Sequence, residues 1–252
     1  MPPVRDLFLR PSEFFRGLAA APPDYKVPLA IAAIIGVLQA ANGYLTLSWV
    51  TGIYLGLYEK TPGAAQVPAT LMASITGIGI NLITILDFFV PFFTLVVAGL
   101  VFWFIAGLVF WFIAGIWNRG SDTLSQTIAA VGWGMIPLAV YQAFLVPLFL
   151  SLKNTMTVTV SPAFFNTTIN ATNHAELAKM VSFNQPYILF ITTSAVLEVV
   201  AFLCCAWFWV HAVRGIFSLD TKKAAAAVLV PVILYLAVMV GPHLMGLAAV
   251  LS

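Results

Sequence analysis

One carboxylate stands where a carboxylate is expensive. Glu198 lies in the run SAVLEVVAFLCC. A charged side chain at the centre of a bilayer costs about 2.5–3.5 kcal/mol on insertion scales, so such residues face a bundle interior or a water-filled cavity. Two roles fit it: a proton or cation site, or a neutral hydrogen-bonding group that glues one helix to the next. No basic partner stands at helical spacing from it, and packing glue is the simpler role. Gln142 and Asp87 complete a candidate intramembrane polar set, and Asn42 is a further candidate for an interhelical hydrogen bond. Asp87 precedes the longest apolar run, so its expected role is to mark a helix start or the membrane boundary.

Little else carries reactive spacing. There is no nucleophile elbow, no phosphate-binding loop, no HExxH and no carboxylate pair at catalytic spacing. Cys204 and Cys205 are adjacent; neighbours on a helix point apart, so they read as small hydrophobes and not as a disulfide or metal pair. His211 and His243 lack a spaced partner. An intramembrane protease needs a Ser/His, paired-Asp or His/Glu set, which Asp87 and Glu198 alone do not make. The chain is therefore expected not to be an enzyme and to need no cofactor or metal. A net charge of +2 gives no reason to expect nucleic acid as a partner.

The elements that must position these residues are membrane helices. Of the 252 residues, 62% are hydrophobic and 8% charged, against roughly 25% charged in a soluble domain. Residues 88 to 116 carry no charge, and about 20 such residues suffice to cross a bilayer. This stretch holds a perfect tandem repeat, LVFWFIAG, at Leu100 to Gly107 and Leu108 to Gly115. Eight residues advance a helix by about 80° beyond two full turns, so the copies do not share a face. They read as a lipid-compatible duplication, or as a groove where another helix crosses at the glycines.

Further spans are expected at about 27–54, 124–150 (with Pro137 and Pro147 as kinks), 187–213 and 224–250. Residues 67 to 86 are ambiguous, being apolar but interrupted by Pro68, Gly77, Gly79 and Asn81. Charge placement decides the count, because cytoplasmic segments carry an excess of Lys and Arg. With five spans and the N-terminus inside, the inner segments hold Arg5, Arg10, Arg16, Lys26, Arg119, Arg214, Lys222 and Lys223, and the outer ones hold Lys60, Lys153 and Lys179. Six spans would leave six inside against five outside. The expectation is an all-α, five-span bundle with a cytoplasmic N-terminus and an outer C-terminus, in the cell membrane. Residues 67–86 then form an outer interfacial or re-entrant segment, or partly extend span two. Residues 151–186 form an outer polar loop, whose sequons at Asn166 and Asn170 are candidate glycosylation sites.

Residues 1–26 are expected to be a cytoplasmic interfacial segment. Pro11 opens a short helix, SEFFRGL, and Pro22-Pro23 closes it. Leu7, Phe8, Phe14, Phe15 and Leu18 alternate with arginines, as in a segment lying among headgroups or one packed on the bundle. No cleavable signal peptide is expected, because the first residues lack an apolar core.

Three stretches together carry a resemblance: LFLRPSEFFRGLAAAPPDYKVPLAIAAIIG, GSDTLSQTIAAVGWGMIPLAVYQAF and WVHAVRGIFSLDTKKAAAAVLVPVIL. Their combination resembles the Yip-domain family, the Ypt-interacting multi-span membrane proteins, in its prokaryotic form. The resemblance implies a five-span fold and a non-enzymatic character. Eukaryotic relatives bind prenylated Rab-type GTPases, a role not carried over: no Asp-Leu-Tyr-Gly-Pro-type motif and no long N-terminal region is found here.

Two functions are in play. One is a scaffold that binds a protein partner, itself or lipid through Arg5, Arg10, Arg16, Arg119, Arg214, Lys222 and Lys223, charges whose plainer role is to set topology. The other is a small transporter or channel built on Glu198. In a chain whose native cysteines are replaced, Asp87→Cys is expected to react with impermeant thiol reagents from the outer side only. Labelling from the cytoplasmic side would sink the five-span arrangement.

Overall fold

The computed structural model describes residues 4–59, 79–118, 123–156, 158–160 and 181–239. Two short helices come first, α1 (Val4–Leu9) and α2 (Pro11–Ala19). Pro11 occupies the first helical turn of α2, where its missing N–H costs nothing. Then follow α3 (Lys26–Glu59), α4 (Gly79–Gly115), α5 (Leu124–Gly134) and α6 (Ile136–Leu152). A two-stranded antiparallel ribbon, β1 (Val158–Val160) with β2 (Val181–Phe183), precedes α7 (Gln185–Phe217) and α8 (Thr221–Met239). Among the described residues, five helical stretches are long and apolar enough to cross a membrane, with α5 and α6 together forming one of them. The all-α, multi-pass architecture is the one expected from the sequence.

Several boundaries differ from the expected ones. Helix α4 begins at Gly79, so residues 79–86 continue the helix that contains Asp87. At 37 residues it is about 55 Å long, well beyond the ~30 Å apolar core. Residues 67–78, and the sequons at Asn166 and Asn170, lie outside the described residues, as do Arg119 and His243. The stretch 151–186 is not wholly irregular among its described residues: besides the ribbon, Asn184 ties its two ends together. Its side-chain amide donates to the Thr155 carbonyl at 2.6 Å, and its carbonyl oxygen caps α7 by accepting from the Tyr187 N–H. Of the two prolines expected to kink span three, Pro137 follows a real break at Met135, whereas Pro147 lies inside α6.

Helix α5 is the centre of the molecule. Every residue from Thr127 to Met135 is buried. It packs on α2, α3, α4 and α7. Pro137 offers no N–H, and the Met135 N–H turns back to the Gly132 carbonyl at 3.2 Å. The Val131 carbonyl, which would take the Met135 N–H in a continuing α-helix, accepts the Trp209 indole N–H at 2.9 Å instead. The Trp103 indole N–H likewise reaches the Ile128 carbonyl at 2.7 Å. Glycines make room for both rings. A Cβ on Gly134 would collide with the Trp209 ring, and one on Gly132 would meet Pro28 and the Trp103 nitrogen. The Gly-Trp-Gly of residues 132–134 is thus a docking place for two indoles from neighbouring helices. Beyond Met135 the chain leaves this central place, and α6 packs on α3 and α7 with Val140, Phe144 and Leu150 exposed.

The octapeptide repeat behaves as its 80° offset requires. The first-copy tryptophan, Trp103, is 8% exposed and hydrogen-bonded, while its second-copy equivalent Trp111 is only partly buried. For the preceding phenylalanine the order reverses: Phe110 is 2% exposed and packs on Trp209 at 5.2 Å, while Phe102 is partly buried. One face of α4 is buried at Gly99, Trp103, Gly107, Phe110 and Ala114; Val97, Val101, Phe104, Leu108 and Phe112 face outward, where only hydrocarbon suits them. The repeat therefore serves packing as well as lipid contact: Gly107, the last residue of the first copy, lies against Ile128, and Gly99, just before that copy, lies against Ala32.

Helices α3 and α4 approach tightly at Gly36, where an added Cβ would stand 2.6 Å from the Val96 Cα. Backbone cannot step aside there. Gly36→Val is expected to destabilise the protein by about 1–3 kcal/mol, read as a lower Tm in detergent. Gly115, with nothing within 4 Å, should accept Ala with a change within about 0.5 kcal/mol.

Candidate functional site

Two groups of polar side chains stand out, at different depths. The first covers one end of the bundle. Helices α1 and α2 close this end, with Leu7, Phe14 and Phe15 essentially inaccessible. Phe14 packs edge-on against Trp133 at 5.3 Å, and Phe8 against Phe208 at 5.8 Å. The α2 backbone at Phe15 and Arg16 lies across Gly215 of α7, within 3.3 Å of where a Cβ would be. Ser12 and His211 share a hydrogen bond, Oγ to Nδ1, at 2.8 Å, and Gln126 donates to the Ala19 carbonyl at 3.2 Å. Of the two placements open to residues 1–26, packing on the bundle takes Phe14 and Phe15. The aromatic alternation marked a buried face, and His211 is the polar clasp that holds it.

The arginines of that segment point the other way. Arg5, Arg10 and Arg16 are exposed, and so are Arg214, Lys222 and Lys223 at the turn between α7 and α8. These six belong to one bundle end, joined by Lys26 at the start of α3. Three cations have carboxylate neighbours: Arg5 with Asp6 at 3.5 Å, Arg10 with Glu13 at 3.5 Å and Lys223 with Asp220 at 3.7 Å. Exposed pairs of this kind contribute little, at most about 1 kcal/mol. Arg16, Arg214 and Lys222 make no ion pair with any described residue, and the Arg16 backbone lies against Gly215, the residue that follows Arg214. Asn118, at the end of α4, donates to the Phe217 carbonyl at 2.8 Å and ties the same end together. Ser218 then takes the left-handed conformation, φ 53°, that turns the chain into α8.

The second group lies inside the bundle, toward the opposite end. A cleft of about 590 Å³ is lined by α3, α4, α6 and α7. Asn42 of α3 donates its amide to the Gln142 carbonyl at 3.0 Å and to Gln142 Oε1 at 2.9 Å, joining α3 to α6. Across the cleft stand Ser194 and Glu198 of α7, one helical turn apart, with Gln39 and Tyr141 also on the wall. Of the candidate intramembrane residues, the fold brings Glu198, Gln142 and Asn42 together. Asp87 lies in the first third of α4, and its side chain is outside the described residues. Gln39, Ser194 and Tyr141 had no local signal in the sequence; only a helical wheel centred on Glu198 and Asn42 would have grouped them. Cys204 is exposed and Cys205 buried, on different sides of α7. No three His, Cys, Asp or Glu side chains converge among the described residues.

A multi-pass helical membrane protein with its N-terminal helices folded onto one end is thus defined. The chain belongs to the Yip1-domain family, whose family model matches residues 5–241. A search of curated proteins and of solved structures returned no match.

The basic end offers one titration with a clear sign. The Lys223 main-chain N–H, 2.9 Å from Asp220 Oδ1, holds this exposed carboxyl below the usual Asp range. A carboxyl made more acidic by folding stabilises the fold above its unfolded pKa, and that contribution disappears as pH falls through the folded value. Asp220→Ala is therefore expected to lower Tm at pH 7, and the difference from the native chain should shrink as pH drops below about 4.

Proposed function

We propose that the chain is a non-enzymatic scaffold of the cell membrane whose basic end lies in the cytoplasm and binds protein partners, further copies of the chain or anionic headgroups. Among described residues, Arg5, Arg10, Arg16, Lys26, Arg214, Lys222 and Lys223 belong to that end and Lys153 to the other, the asymmetry that favours a cytoplasmic basic end. Five crossings then put the C-terminus outside, with residues 67–86 and 151–186, including Asn166 and Asn170, on the outer side. Arg119, by its position after α4, joins the cytoplasmic surface.

The observation that carries this reading is the docking of α1 and α2. A loose N-terminal segment would have to be ordered on binding, at a cost in conformational entropy. Here Leu7, Phe14 and Phe15 are buried and Ser12 is bonded to His211, so the arginines stand on a surface already in place. Arg16, Arg214 and Lys222, contributed by three helices and without a carboxylate partner among the described residues, are a part of that surface open to an acidic group.

Crosslinking in native membranes, followed by purification and mass spectrometry, tests the reading. A stoichiometric partner, another protein or a second copy, is expected. Its yield should fall about tenfold or more when Arg16, Arg214 and Lys222 are all changed to Ala, provided Asp87→Cys labelling shows the orientation unchanged. Recovery of the uncrosslinked chain alone would count against the scaffold.

A further inference from the structure

A second cleft, of about 720 Å³, lies between α6 and α7 and reaches Phe8 of α1 at the basic end. Its described lining is almost wholly hydrocarbon and aromatic ring. Val140 and Phe144 of α6 and Val200, Leu203 and Trp207 of α7 remain about half exposed along it. In a bilayer such a face meets acyl chains, which are as apolar as leucine. Along α7 the lining runs from Leu197 to Phe208, a rise of about 16 Å. One leaflet of a ~30 Å hydrocarbon core is about 15 Å deep. The cleft therefore has the length of one acyl chain of a phospholipid in the leaflet at the basic end.

The side of α7 that lines the cleft leads on to a cation. Val200, Trp207 and Arg214 stand at heptad spacing, which falls only about 20° short of two helical turns, so they follow one another along one side of the helix. Each step is about 10 Å. His211 lies between the last two, edge-on to the Trp207 ring at 4.8 Å and bonded to Ser12 of α2 at 2.8 Å. Arg214 is exposed and makes no ion pair with a described residue, while Asp6 and Glu13, the acids of α1 and α2, are paired with Arg5 and Arg10. A guanidinium fork matches the oxygens of a phosphate. The other cations of this end favour a headgroup that brings no cation of its own. We propose that α6 and α7 hold an anionic diacyl phospholipid, one acyl chain in the cleft along Val200, Leu203 and Trp207 and the phosphate on Arg214. The proposal rests on the reading of the basic end as a surface for acidic groups, and it names the group that meets Arg214 as a membrane lipid.

The full-length chain in phosphatidylcholine nanodiscs tests this, with phosphatidylglycerol or phosphatidylcholine bearing dibrominated acyl chains added at increasing mole fraction. Bromine quenches indole fluorescence on contact, and the half-exposed Trp207 reports on the cleft. The brominated phosphatidylglycerol is expected to quench with an apparent affinity about fivefold or more above that of the brominated phosphatidylcholine, the effect of about one basic residue at an anionic surface. Trp207→Phe should remove the excess quenching, which places the acyl chain in this cleft and not at another tryptophan. Arg214→Gln, a change at an exposed position, should bring the two lipids to equal quenching. Equal quenching by both lipids in the native chain, excess quenching that survives Trp207→Phe, or a preference unchanged by Arg214→Gln would overturn the proposal. The nanodisc holds no other protein, so the lipid result is read separately from the recovery of a crosslinked partner, and either reading can fail while the other stands.

Discussion

Two buried indole N–H groups organise the bundle. Hydrocarbon offers no hydrogen-bond partner, so each must find an acceptor within the protein. Trp103 and Trp209, from α4 and α7, both find theirs in the α5 backbone, at the carbonyls of Ile128 and Val131. The Val131 carbonyl is available because the helix breaks at Met135, ahead of Pro137. Gly132 and Gly134 let the rings approach. The proline, the two glycines and the two tryptophans form one device that fixes where α4 and α7 stand relative to α5.

The same break shapes the rest of the interior. Up to Met135 the third span fills the middle of the bundle; afterwards it runs along the side as α6. One half of the molecule is dense and covered by α1 and α2, whose Phe14 and Phe15 join the same core. The other half keeps an open, partly polar cleft between α3, α4, α6 and α7. Cations gather on the dense half, and Glu198 faces the open one. Membership of the Yip1-domain family fits a chain whose bulk is apolar helix and whose exposed charge is concentrated at one bundle end. The polar cleft is a separate feature of the same bundle.

Docking of the N-terminal segment ties α2 to the longest helix of the second half of the chain, α7. Ser12 bonds to His211 on α7, and the same helix carries Trp209 two residues earlier and Glu198 farther along. The turn after α7 is held by Asn118 and by the Asp220 cap.

The long, uncharged and strongly apolar runs were enough to establish from sequence a multi-pass helical membrane protein, because the bilayer sets a length and a composition that few other folds require. The 80° offset of the octapeptide repeat was equally legible, since helical pitch alone dictates it, and Trp103 and Trp111 have the different environments it demands. The resemblance carried by the Pro-x-x-Phe-Phe, Gly-Trp-Gly and Ser-Leu-Asp-Thr-Lys-Lys stretches pointed to the family. Tertiary structure decided the rest. Aromatic alternation in residues 7–18 fits lipid and protein alike, and only the position of Trp133 and Gly215 makes it a packed face. The glycines of the repeat look the same in sequence, yet Gly107 meets Ile128 and Gly115 meets nothing. Glu198 could be singled out by its cost in the bilayer. Its companions Gln39, Asn42, Gln142 and Ser194 are ordinary residues on three helices, and only the packing of those helices brings them to one cleft.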